Sequence, residues 1–180
     1  IPDYKIDRSV LDRRLDQLKE EGVSFETQVD AGVDISGMYL SRTFDAVVIS
    51  VGAQTPRNLT IPGRGLNGVH FAMPFLTQQN RRIAGDIIPE NEVITAKDKN
   101  VIVIGGGDTG SDCIGTSIRQ EAASVTHIYY QDVPPKDRPA CNPWPEWPKT
   151  FKTSSSQEEG CERFWKYQTK EFVGEDGNLT

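Results

Sequence analysis

The spacing of apolar and polar positions along the 180-residue chain changes several times, and each change marks an element. Leu11, Leu15 and Leu18 recur at helical spacing, Ser9 and Asp12 stand at capping-box spacing, and Gly22 supplies a left-handed stop. Together they predict a helix over 9–22. A short strand over 23–26 and a polar, glycine-containing turn or hairpin over 30–42 follow. Residues 44–51, FDAVVISV, form a β-branched run without polar alternation and end at Gly52. That pattern predicts a strand buried on both faces of a sheet. Pro56, Pro62, Gly63, Gly65 and Gly68 make 53–68 a connector and a domain boundary. A short helix is expected within 69–83 and a polar surface loop over 85–99. Residues 100–104 have the clearest strand pattern in the chain, with a helix over 108–120 and a second strand over 125–130. These make a β-α-β unit of about 30 residues. Pro134, Pro135, Pro139, Pro143, Pro145 and Pro148 exclude a helix over 132–148.

The junction VIVIGGGDTG, residues 101–110, carries the chemistry. Gly105, Gly107 and Gly110 satisfy G-x-G-x-x-G, with Gly106 between the first two. The pattern serves a tight turn out of the strand, a close approach of backbone to a pyrophosphate, and close packing of helix on strand. Amides at the helix start then face the anion. A preceding strand, a following helix and a second strand provide the context that the motif requires. Asp108 and Thr109 stand at the helix start, where each either caps free amides or touches the cofactor. Coenzyme choice is made beyond the second strand, where an acid binds ribose hydroxyls and a cation accommodates the extra phosphate of NADPH. Gln131 with Arg138 favours NADPH, whereas Asp132 favours NADH if it points inward. Lys136 and Arg138 can also be read as solvated loop charges.

Composition narrows the reading. Apolar residues at 36% and charged residues at 26% suit a globular domain rather than a disordered one. A net charge of -6, with Lys and Arg scattered among acids, argues against a nucleic-acid partner. No apolar run is long enough to cross a membrane, and no signal peptide is visible. Cys113, Cys141 and Cys161 form no C-x-x-C pair, so neither a disulfide framework nor a metal site is expected, and a cytoplasmic location fits. Cys113 lies within the predicted helix and reads as packing. The chain begins at Ile1 without Met and ends at Thr180 without an evident helix end, and is read as a fragment of a longer polypeptide.

The strings NVIVIGGGDTGSDCIGTSIR, SVGAQTPRNLTIPG, GVHFAMPFL and NPWPEWP resemble the small (beta) subunit of NAD(P)H-dependent glutamate synthase, within the flavin-containing pyridine nucleotide-disulfide oxidoreductase-like superfamily. NPWPEWP, residues 142–148, is the most specific of them. The resemblance implies an α/β fold: a Rossmann-like dinucleotide-binding domain with a three-layer, mostly parallel sheet, plus part of a second, FAD-type domain. On that alignment residues 1–63 are part of the FAD-binding domain, 64–97 an interdomain connector, and 98–180 the N-terminal part of the NAD(P)H-binding domain. Gly52 falls near the flavin in such proteins, although Ser50 and Val51 replace the usual residues there, and a plain strand-ending turn is the other reading. Trp144 and Trp147 pack either a loop near the cofactor or a surface plug. The implied cofactors are NADPH (or NADH), FAD and, in the full-length parent, iron–sulfur clusters whose ligands are not in this chain. The implied partner is the glutamate synthase large subunit. No catalytic side chain is expected, because the cofactors carry the chemistry. Other readings are a dihydropyrimidine dehydrogenase-like or ferredoxin-linked flavin oxidoreductase, and a non-catalytic dinucleotide-binding scaffold.

Overall fold

The computed structural model describes residues 1–53 and 55–180. They form two compact units, one of residues 6–58 and one of residues 1–5 with 59–180.

The smaller unit holds two helices, α1 (Arg8–Glu20) and α2 (Gly37–Thr43). Asp7, rather than Ser9, caps α1: its carboxylate accepts from the Ser9 backbone amide at 2.8 Å and also binds the Ser9 hydroxyl. A carboxylate at this end complements the helix dipole better than a hydroxyl does. Gly22, at φ 93°, supplies the expected stop. The strand expected over 23–26 does not form, and Val23 and Phe25 are exposed. The expected hairpin over 30–42 is half helix, because Ser36 accepts from the Tyr39 amide and starts α2. Only the tight loop closed by the Ala31–Ile35 bridge remains of it.

Residues 44–51 also depart from expectation, with no strand ladder and with Val48 at 88% and Ile49 at 81% exposure. A strand is defined by the ladder it shares with a neighbour, and no ladder is formed over this run. Gly52 follows it at φ 68°. None of the unit's described residues is buried.

The larger unit contains α3 (Ala72–Ile83), β1 (Asn100–Ile104), α4 (Asp108–Arg119), β2 (Ser124–Ile128), α5 (Ser155–Glu158), β3 (Glu162–Phe164), β4 (Gly174–Glu175) and β5 (Asn178–Leu179). The sheet is parallel in the order β1-β2-β3. Asn100 pairs with Ser124 and Ile104 with Ile128, so the β-α-β unit has the expected register.

Its core lies on one face, where Phe75 and Leu76 of α3 meet Ala96 and Cys113, flanked by Val101 and Val103. On the other face of β1, Ile102 is 60% and Ile104 39% exposed. Two layers of the expected three are therefore built by the described residues, and β1 is covered on one face.

The segment expected as a surface loop over 85–99 is tied down by two glutamines. Gln78 Oε1 accepts from the Ile94 amide and Gln120 Oε1 from the Ala96 amide. Such side-chain bonds satisfy backbone that has no ladder. A short 3₁₀ turn at Asp3–Lys5 packs Tyr4 on α4, its hydroxyl donating to Asp112 O at 2.8 Å and its ring lying 3.7 Å under the Arg119 guanidinium. The chain's last strands form a hairpin over Asp176 and Gly177, both at positive φ, which pairs with Asn67.

Candidate functional site: a glycine turn at a helix start

β1 delivers the chain to Gly105, and α4 carries it away from Gly107. Gly105 and Gly107 lie at φ 106° and 103°, in the left-handed region that side chains avoid, so the turn itself requires glycine at both positions. The other two glycines are required by space. A Cβ on Gly110 would stand 2.9 Å from Gly105 O and 3.3 Å from His127 Nε2, and one on Gly106 would stand 2.8 Å from the Tyr129 ring. Nothing lies within 4 Å of where a Cβ of Gly107 would be. The four glycines thus divide the expected duties: turn, open approach, and close seating of α4 on the sheet.

Asp108 and Thr109 form the first turn of α4, and neither caps it through its side chain; the cap position is Gly107. The first helical amide to find a carbonyl is that of Ser111, bonded to Gly107 O at 3.1 Å. The amides of Asp108, Thr109 and Gly110 precede that first helical donor and so lie, without an intrahelical i→i−4 acceptor, at the positive end of the helix dipole. This is the geometry that suits a phosphate group. A cleft of about 510 Å³ reaches Thr109 from the α3 side, lined there by Met73, Leu76 and Thr77.

The residues expected beyond the second strand fall into two groups. Gln131 follows β2 and offers its carbonyl to the Lys166 amide at 3.0 Å. Beside it, Asp132 pairs with Lys166 at 2.6 Å, both exposed. Arg138 instead belongs to the proline loop: one terminal nitrogen donates to Glu146 O at 3.1 Å and Asn142 O at 3.4 Å. That loop is organised by Asn142, which is buried and whose side-chain amide bonds Glu146 Oε2, Trp147 O and the Lys149 amide. Trp144 and Trp147 stand exposed at 83% and 78%, with Lys152 Nζ 4.2 Å from the Trp147 ring. Gly52 lies in the other unit, exposed, with no atom within 4 Å of where a Cβ would stand.

Cys113 is packing, as expected: it sits in the core, and burial, aided by the Asp112 carboxylate, pushes its thiol up to about 12. No cluster of metal-binding side chains occurs among the described residues, and none of their helices is long and apolar enough to cross a membrane.

Sequence reading missed the groups that brace the turn from inside. His127 is wholly buried, with Nε2 2.6 Å from Gly105 O. Burial, and behind it the Arg163 guanidinium, lower its pKa, while the bond to Gly105 opposes them. Tyr129 stacks on Trp165 with centroids 5.2 Å apart, and its hydroxyl accepts from Gln157 at 2.9 Å and Arg163 at 3.3 Å. The available signal was period two: Val125 and His127 of β2 and Tyr129 just beyond its end alternate and so share the face that meets α4.

Comparison with known proteins agrees with this geometry. Residues 7–142 match the family described as pyridine nucleotide-disulphide oxidoreductase. The chain is 46% identical over 183 residues to the glutamate synthase [NADPH] small chain of Mycobacterium tuberculosis (strain CDC 1551 / Oshkosh), covering 100% of this chain and 38% of that protein. It is 41% identical to the glutamate synthase [NADPH] small chain of Bacillus subtilis (strain 168), over 91% of this chain and 33% of that one. It is 40% identical to the glutamate synthase [NADH] of Schizosaccharomyces pombe, over 99% of this chain and 9% of that one. The chain therefore spans well under half the length of each of these relatives. With its α/β dinucleotide-binding fold and a match over most of its length, the chain belongs to the pyridine nucleotide-disulphide oxidoreductase family.

Proposed function

We propose that this chain is part of a glutamate synthase small subunit and that its glycine turn, Gly105 to Gly110, holds NAD(P)H. The observation that carries the reading is the alignment of the whole chain with a protein of that name, glycine turn included. In this reading the amides at the α4 start and the open side of Gly107 take the pyrophosphate. Gln131 and Arg138 lie toward the adenosine end and favour NADPH. Residues 98–180 belong to the NAD(P)H-binding domain, 1–63 to an FAD-binding domain with Gly52 near the flavin, and 64–97 join them. The exposed apolar run 44–51 supports the second assignment, since it has the composition of a sheet strand yet leaves Val48 and Ile49 exposed.

When bound, the nicotinamide dinucleotide supplies hydride to FAD, and electrons then reach, through iron–sulfur clusters, a large subunit that forms glutamate from glutamine and 2-oxoglutarate. This chain's residues bind and orient; none is assigned as acid, base or nucleophile. The location that fits is the cytoplasm. The test is the full-length protein, purified and followed for flavin absorbance and for NADPH oxidation with an artificial acceptor. Bound flavin, oxidation, and glutamate formation only with the large subunit are expected; a protein without flavin and without oxidation would sink the reading.

A further inference from the structure

Beneath the glycine turn, four polar side chains from three elements meet: His127, Tyr129, Gln157 and Arg163. The proton position on the His127 ring is set two bonds away. The Ser154 amide can only donate, and it meets Gln157 Oε1 at 2.8 Å within the capping box of α5. The Gln157 NH₂ is thereby turned toward Tyr129 Oη at 2.9 Å and His127 Nδ1 at 3.5 Å. Facing a donor, Nδ1 accepts, so the ring proton sits on Nε2 and is donated to Gly105 O at 2.6 Å.

A trans peptide points its C=O and N–H in opposite directions. Drawing the Gly105 carbonyl inward to His127 therefore turns the Gly106 N–H outward, and the absence of a Cβ on Gly106 lets the Tyr129 ring lie against the same peptide. We propose that His127 is a positioning residue for dinucleotide binding, fixing the Gly105–Gly106 peptide so that the Gly106 amide faces the pyrophosphate. The inference rests on the proposed NAD(P)H site. It requires a neutral imidazole, because a proton on Nδ1 would set two donors face to face across the Gln157 contact. Around the ring, β3 presents the Arg163 cation, the residue after β2 the Tyr129 phenol, α5 the neutral Gln157 and α4 only Gly110.

The experiment measures NADP⁺ affinity by calorimetry in the full-length protein at about pH 7.5, where the His127 imidazole is neutral, with His127→Leu and His127→Gln beside the unsubstituted protein. The expected result is about tenfold weaker binding for His127→Leu, from loss of one buried hydrogen bond. His127→Gln, which keeps a donor nitrogen at nearly the same reach, returns to within about threefold.

Unchanged affinity in His127→Leu, or failure of His127→Gln to rescue, would each overturn the proposal. Should His127→Leu not fold, His127→Asn, whose amide is one methylene too short to reach Gly105 O, takes its place, and binding by it as tight as that of His127→Gln would overturn the proposal. No NADP⁺ binding by the unsubstituted protein defeats the proposed function and this inference with it, whereas binding that ignores His127 defeats only the inference.

Discussion

Two β-branched runs in this chain, each leading into a glycine at positive φ, end differently. FDAVVISV before Gly52 lies exposed without a ladder, whereas NVIVI before Gly105 is β1, paired residue for residue with β2. Local propensity does not separate them, since both are rich in Val and Ile. The difference is supply: β1 receives a partner strand and a packed helix from the next 24 residues, whereas no ladder forms over 44–51 and its Val48 and Ile49 stay exposed. A sheet strand is a property of at least two segments, and its burial is a property of what covers it.

Substitution should expose the contrast first in stability. Ile114, wholly buried on α4, should cost about 2–5 kcal/mol as Ile114→Ala, while Val48→Ala should stay within about 0.5 kcal/mol. Denaturant unfolding of the full-length protein measures both; comparable losses would mean that 44–51 is covered in that protein, and would redraw the comparison. The glycines should follow the same order in ligand binding. Gly110→Ala places a Cβ against Gly105 O and His127, forces α4 off the sheet, and should weaken dinucleotide binding about 10- to 100-fold. Gly52→Ala meets no atom within 4 Å and carries only the strain of its φ, about 1 kcal/mol, which unfolding but not NADPH titration should detect. The smallest effect is expected at Arg138. If it reaches the NADPH phosphate, Arg138→Ala should weaken NADPH about 3- to 10-fold and NADH by less than about twofold. Equal losses would assign its guanidinium to bracing the Asn142 loop alone.

Much of the glycine turn was legible because its demands are local. The φ of Gly105 and Gly107 and the helix that starts at Asp108 follow from adjacent residues, and β1 and α4 stand where the pattern put them. The short Asp176–Gly177 hairpin had a readable signature too, an Asp-Gly pair suited to two successive positive φ values, although the flanking strands are only two residues each. β3 and α5 were not legible: three and four residues give no periodicity, and their places come from pairing with β2 and packing on α4. Nor was the role of Arg138, whose loop is closed by a buried asparagine rather than by any repeat in the sequence.

The sequence by itself determined the strand, the turn and the helix start that make an anion site at Gly105 to Gly110, because steric exclusion and helix amides act within ten residues. Tertiary structure decided how that turn is held. His127, 22 residues away, Gln157, 30 further on, and the Ser154 amide that fixes the proton on the ring come together only when β2, α5 and α4 are packed. Hydrogen-bond direction passes through such contacts and leaves no periodic trace in the chain.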